Sequence, residues 1–118
     1  MKIVKIAQEE ITLEMVKNDN CSPETLVKIL DRDNNDLISS YAAYHHNCPP
    51  EMLTKILDRG KDDEVSQYAA MNPLCPLDTL VRAIKRPKPS SIPYAVFQNP
   101  NCPQKIKRLW ETNTWGNY

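Results

Sequence analysis

The side chains best equipped for chemistry in this sequence are four cysteines, Cys21, Cys48, Cys75 and Cys102, and two histidines, His45 and His46. Thiolates and imidazoles bind zinc, and a thiolate beside an imidazole can act as a nucleophile. The spacing argues against both uses. Successive cysteines are separated by 27 residues each time. The tightest grouping, His45-His46-Asn47-Cys48, has no CxxC or HxxxH partner, whereas structural zinc takes closely spaced ligand pairs. A thiol at a helix N-terminus can be acidified, which makes Cys48 the candidate nucleophile. Four equivalent cysteines are better explained by an internal repeat than by one reactive thiol. They are expected to be reduced and metal-free, with no cofactor and no enzymatic role.

Other catalytic patterns fare no better. Phosphate and dinucleotide loops need glycine clusters, and the two glycines, Gly60 and Gly116, stand alone. The acidic pairs Asp62-Asp63 and Asp33-Asn34-Asn35-Asp36 read as turns. The second resembles part of a calcium loop but lacks its glycine and distal glutamate.

The elements that must carry these residues follow from the period. The four segments are NDNCSPETLVKIL, HHNCPPEMLTKIL, NPLCPLDTLVRAI and NPNCPQKIKRLW. In the first three, Leu26, Leu53 and Leu80 superpose, then Ile29, Ile56 and Ala83, then Leu30, Leu57 and Ile84. Spacings of three and four mark one face of a helix. The fourth aligns Ile106, Leu109 and Trp110 after a one-residue deletion. Proline or serine after each cysteine, with Glu24, Glu51 or Asp78 three positions on from it, suggests a capping box with cysteine as cap; Ser22 can replace it in the first copy.

A second helix precedes each cysteine. Ile11, Ile38, Val65 and Ile92 share one column, and Met15, Ala42, Ala69 and Val96 share another. Asn18, His45, Asn72 and Asn99 end these helices in register, and asparagine at a helix C-terminus can adopt the left-handed conformation and turn the chain. A 27-residue period belongs to stacked-repeat architectures. The expected fold is all-α and free of sheet, a short α-solenoid of about four helix pairs in a single domain. Its parts are a partial repeat at 8–18, repeats at 19–45, 46–72, 73–99 and 100–111, and a cap or tail at 112–118 with Trp110 and Trp115. Pro93 in the irregular stretch KRPKPSSIP demands a short helix.

The residues Asn99, Pro100, Pro103 and Ile106, and Asn47, Pro49, Pro50 and Leu53, resemble the Asn-Pro-x-x-Pro-x-x-x-Leu signature of leucine-rich repeat variant proteins. More loosely the repeats are similar to HEAT-like α-solenoids. The resemblance spans nearly all of residues 9–111 and implies paired short helices, without specifying an activity. An iron–sulfur cluster known in that family sits in a separate cysteine-rich segment with no counterpart here, so no cluster is implied.

Composition is consistent with one folded domain: 118 residues, 41% hydrophobic, with 10 prolines against 2 glycines. No apolar run is long enough to cross a bilayer. The segment MKIVKIAQEE meets acids too early to read as a signal peptide. Reduced thiols then point to a cytoplasmic setting. The zero net charge hides an asymmetry, with 8 Lys/Arg against 13 Asp/Glu in residues 1–71 and 7 against 2 in residues 72–118. Opposite fields of this kind steer partners or favour self-association between copies.

Two surfaces are candidates for binding. The aromatic one comprises Tyr41, Tyr44, His45, His46 and Tyr68, with Tyr41 and Tyr68 stacked in one column or bordering the core, and Tyr44 on a separate azimuth. The basic one comprises Arg82, Lys85, Arg86, Lys88, Lys105, Lys107 and Arg108. The expected function is a non-enzymatic protein–protein adaptor or inhibitor acting through the aromatic strip. The alternative is nucleic-acid binding through the basic edge.

Overall fold

A computed structural model of the chain describes residues 3–6, 9–86 and 90–112. Lys88, the side chain of Trp110 and the 113–118 part of the expected cap, with Trp115, lie outside that description. Among the described residues the protein is mostly helical, with eight short helices: α1 (Leu13–Lys17), α2 (Pro23–Leu30), α3 (Leu37–Tyr44), α4 (Pro50–Asp58), α5 (Glu64–Met71), α6 (Leu77–Ile84), α7 (Ile92–Phe97) and α8 (Gln104–Thr112).

The apolar columns explain how they pack. The faces of α2, α4 and α6 at Leu26, Leu53, Leu80, Ile29, Ile56 and Leu30 are all buried to 1% exposure or less. Each such side chain removed from water contributes about 1.5–3 kcal/mol. These helices lie against α3, α5 and α7 respectively. Along the other direction α1, α3, α5 and α7 touch in succession, as do α2, α4 and α6. Ala42 and Ala69, both fully buried, are small enough to let α3 and α5 approach closely. The result is elongated, 49 × 25 × 21 Å.

Three sequence expectations need correction. The first concerns residues 8–18, which were expected to be helical. Instead β1 (Ile3–Ile6) pairs antiparallel with β2 (Glu9–Thr12), with Val4 opposite Ile11, and only Leu13–Lys17 is helical. The branched residues of IVKI and EEIT favour strand, and Thr12 stops the strand by capping α1 through the amide of Met15. Ile11 keeps the core position its column implies, fully buried, but from a strand. The expectation of no sheet therefore fails at this end.

The second correction concerns the caps. Ser22, Pro49 and Pro76 occupy the N-cap positions, one residue after each cysteine. Ser22 accepts from the amide of Thr25, whereas the prolines make no side-chain bond and contribute their preset φ. The cysteines sit just outside the helices, buried, where packing rather than capping holds them.

The third concerns the helix ends. Asn18, His45 and Asn72 have extended backbones, with ψ of 131°, 140° and 126°, not left-handed ones. Among the described residues the left-handed positions are Asp33 (φ 57°) and Gly60 (φ 78°), equivalent residues just after α2 and α4. Two of the four aspartates read as turn residues prove to be caps: Asp36 accepts from the amide of Ser39 and Asp63 from that of Ser66. Helix α7 is six residues long and begins with Ile92-Pro93, as the proline demands.

Candidate binding surface

Helix C-termini leave carbonyls without partners, and here side chains from the following repeat supply them. Asn72 is fully buried and its side-chain amide nitrogen donates to Ala43 O (2.8 Å) and His45 O (3.1 Å) at the end of α3, while its side-chain Oδ1 accepts from the amide of Leu74. Asn99 repeats this one unit on, donating to Ala70 O and Asn72 O and accepting from Asn101 N. His45 stands in for asparagine. Its Nδ1 accepts from the amide of Asn47 (2.9 Å), so the proton resides on Nε2, which donates to Asn18 O at 2.7 Å. At 8% exposure His45 belongs to this spine, not to a partner surface as expected. Only His46, stacked on it at 4.6 Å, is exposed.

A second column does the same for the other row of helices. Arg59 donates to Leu30 O and pairs with Asp33 at 3.1 Å. Arg86 donates to Leu57 O and Lys61 O and lies 3.7 Å from Asp62. A cation at a helix C-terminus is favourable against the macrodipole. Arg32 heads the column, bonded to Ile29 O, Asp36 and Ser39. The recurrence of Arg32, Arg59 and Arg86 at 27-residue intervals is visible in the sequence, and it marks this structural use.

The basic edge is weakened as a candidate by these bonds. Arg86 has 17% of its side chain exposed. Arg82 faces Asp58 (3.4 Å) and Asp78 (3.7 Å). Lys107 lies 5.5 Å over the Phe97 ring. Lys85, Lys105 and Arg108 also have interactions within the protein. The six described residues of this edge do not form a bare cationic patch, since each has an interaction within the protein.

The cysteines are free and buried. Burial pushes the thiols of Cys48 and Cys75 up to about 12 from an ordinary 9.0, with Asp78 adding to the effect at Cys75. Cys21 and Cys102 are raised for the same reason, Lys107 opposing it at Cys102. The helix-terminus acidification considered for Cys48 is thus overridden by desolvation. Among the described residues no cluster of three or more His, Cys, Asp or Glu could hold a metal.

The aromatic residues, by contrast, do assemble. Leu37, Ser40, Tyr41 and Tyr44 of α3, with Glu64 and Tyr68 of α5, line a groove of about 170 Å³. The three tyrosines are 38–49% exposed and so stand outside the core. The ring contact is between Tyr44 and Tyr68, edge to face at 5.8 Å, where the sequence suggested Tyr41 stacking on Tyr68. Same-column residues of neighbouring helices start roughly 8–10 Å apart; here the tyrosine one turn further along α3 reaches Tyr68. Lys17 of α1 lies 5.5 Å over Tyr41. Sequence reasoning missed Leu37, Ser40 and Glu64. The signal was a second helical face on α3, Leu37, Tyr41 and Tyr44 at spacings of four and three, beside the buried one.

No family model, curated protein or solved structure matches this chain. Among the described residues no helix is long and apolar enough to cross a membrane.

Proposed function

We propose that this chain is a short α-solenoid of stacked 27-residue helix pairs, akin to leucine-rich repeat variant and HEAT-like proteins, acting as a non-enzymatic protein-binding module in the cytoplasm. The recurring asparagine and arginine bonds between units support the solenoid reading. The binding reading is carried by one observation: Leu37, Tyr41, Tyr44 and Tyr68, each 38–49% exposed, line one groove across two neighbouring helices. Half-exposed aromatics clustered in this way are the side chains that anchor protein interfaces. His46, exposed and two residues after Tyr44 in the chain, adjoins the strip in sequence. Nucleic acid is the weaker reading, because Arg82 and Arg86 already bond within the protein.

The test starts from partners captured on the immobilised chain from its native cell and identified by mass spectrometry. Affinity for the captured protein is then compared between the native chain, Tyr44→Ala and the double variant Lys105→Ala/Lys107→Ala. Truncating an anchor costs about 2 kcal/mol or more, roughly thirtyfold in affinity, so Tyr44→Ala should lose most of the binding. The lysine pair should alter mainly the association rate at low salt. A silent Tyr44→Ala beside a nuclease-sensitive, lysine-dependent complex rejects the protein-binding reading.

A further inference from the structure

We propose that the groove between α3 and α5 receives one arginine side chain of a partner protein, its guanidinium held against the Tyr44 and Tyr68 rings with Glu64 as counter-ion. This rests on the protein-binding reading and specifies its chemistry.

Size is the first argument. About 170 Å³ falls below the roughly 300 Å³ at which small-molecule and cofactor sites begin, and suits a single side chain. The second argument is charge. Phenol rings present negative faces, and among the described residues the one ionisable group in the lining besides the tyrosines is the carboxylate of Glu64. Glu64 and Tyr68 lie four residues apart in α5, hence on one face a turn apart. A cation against Tyr68 is therefore within reach of a carboxylate. The chain already uses such a contact internally, where Lys17 sits over Tyr41. Helices α1 and α5 both pack on α3, so Lys17 comes from the α1 side and the incoming cation takes the α5 side. The acidic balance of residues 1–71, 8 Lys/Arg against 13 Asp/Glu, draws basic partners towards this half.

The third argument selects among cations. Ser40 lines the groove, is 4% exposed, and its Oγ has no hydrogen-bond partner among the described residues. A buried hydroxyl left unpaired is costly, and a donor entering between the half-exposed rings can satisfy it. A quaternary ammonium has no N–H to give. A lysine ammonium is compact and strongly hydrated. Guanidinium is planar, weakly hydrated and carries five N–H donors, so it can stack on a phenol, pair with Glu64 and donate to Ser40 together. An apolar side chain would leave Ser40 unpaired and bring Glu64 against hydrocarbon.

The experiment titrates the full chain with short glycine-serine peptides carrying one central arginine, lysine, trimethyllysine or leucine. It follows the ring resonances of Tyr44 and Tyr68 by NMR. The arginine peptide should shift both rings saturably and bind about fivefold tighter than the lysine and trimethyllysine peptides. Glu64→Gln, at an exposed position, should reduce that affinity about fivefold and flatten its salt dependence. Ser40→Ala should weaken it about threefold while leaving the melting temperature unchanged or higher, a pattern that a purely structural serine would not give. Equal or tighter binding of the leucine, lysine or trimethyllysine peptide, an unaffected Glu64→Gln, or unshifted tyrosines overturns the arginine assignment. Those results leave the protein-binding reading intact, since it falls only if captured partners ignore Tyr44→Ala.

Discussion

The aromatic groove lies on α3 and α5, while the buried polar spine closes the ends of these helices and of their neighbours, and the two differ in how strictly they recur. The spine repeats: Asn18, His45, Asn72 and Asn99 fall in one column, and Arg32, Arg59 and Arg86 in another. The groove recurs only in part, through Tyr41 and Tyr68, which share a column. The column of Tyr44 holds Lys17, Met71 and Gln98 in the other units, and that of Glu64 holds Glu10, Leu37 and Ser91. A bond between units is needed at every junction, so the residue that makes it is needed in every copy. A recognition site is needed once, so its residues break the pattern. Along this chain strict periodicity marks structure, and departures from it on an exposed face, as at Tyr44, mark the candidate site.

That contrast can be broken at several points. The largest effect should come from alkali acting on the periodic interior. Cys48 and Cys75 are held near 12 in the folded protein but ionise near 9.0 when unfolded. Between those values the unfolded chain carries fewer protons, so stability is full below pH 9 and falls as pH rises towards 12. Denaturant unfolding at several pH values measures this, and Cys48→Ala/Cys75→Ala should flatten the decline. A decline of unchanged steepness in the double variant would show that other groups control alkaline unfolding.

Next comes Asn72→Ala, which strands two buried carbonyls at the end of α3 and should cost about 3 kcal/mol in urea unfolding. His45→Asn should cost under about 1 kcal/mol, because asparagine can make the same pair of bonds one unit earlier. Equal losses at the two sites would refute the idea that they share one role.

Arg86→Ala should cost about 2 kcal/mol, by exposing the orphaned Leu57 carbonyl and breaking the pairing with Asp62. This is a stability effect at an arginine that a phosphate-binding reading treats as surface. A fully stable Arg86→Ala protein would return that residue to the list of ligand contacts.

The smallest change in stability belongs to the groove. Tyr44→Ala removes a half-exposed ring and one edge-to-face contact, and should cost about 1 kcal/mol or less by thermal unfolding. A loss of 3 kcal/mol would place Tyr44 with the spine and remove the basis for treating it as an anchor.

How much of this was legible beforehand depended on whether a residue's role was written in local spacing. The Leu26, Leu53 and Leu80 column and the short α7 at Pro93 follow from helical periodicity and from proline's fixed φ, and both were readable. Residues 9–12, part of the expected helical segment 8–18, are strand instead, although the column containing Ile11 implies a helix. Alignment reports which positions face the core, and a buried isoleucine faces it as well from a strand as from a helix. Arg86 was taken for a surface cation because charge is visible in a sequence and the carbonyl it caps is not.

By itself the sequence determined the 27-residue period, the helical faces and the buried columns. All of these depend on neighbours a few residues away or on recurrence along the chain. Only the tertiary structure decided which polar residues turn inward to the preceding unit and which remain outside. Asn72 meets Ala43 O, and Tyr44 meets Tyr68, across separations of 29 residues and of 24, from 44 to 68. Such meetings depend on how closely two helices pack and how far a side chain leans along its axis, quantities that no local pattern of residues contains.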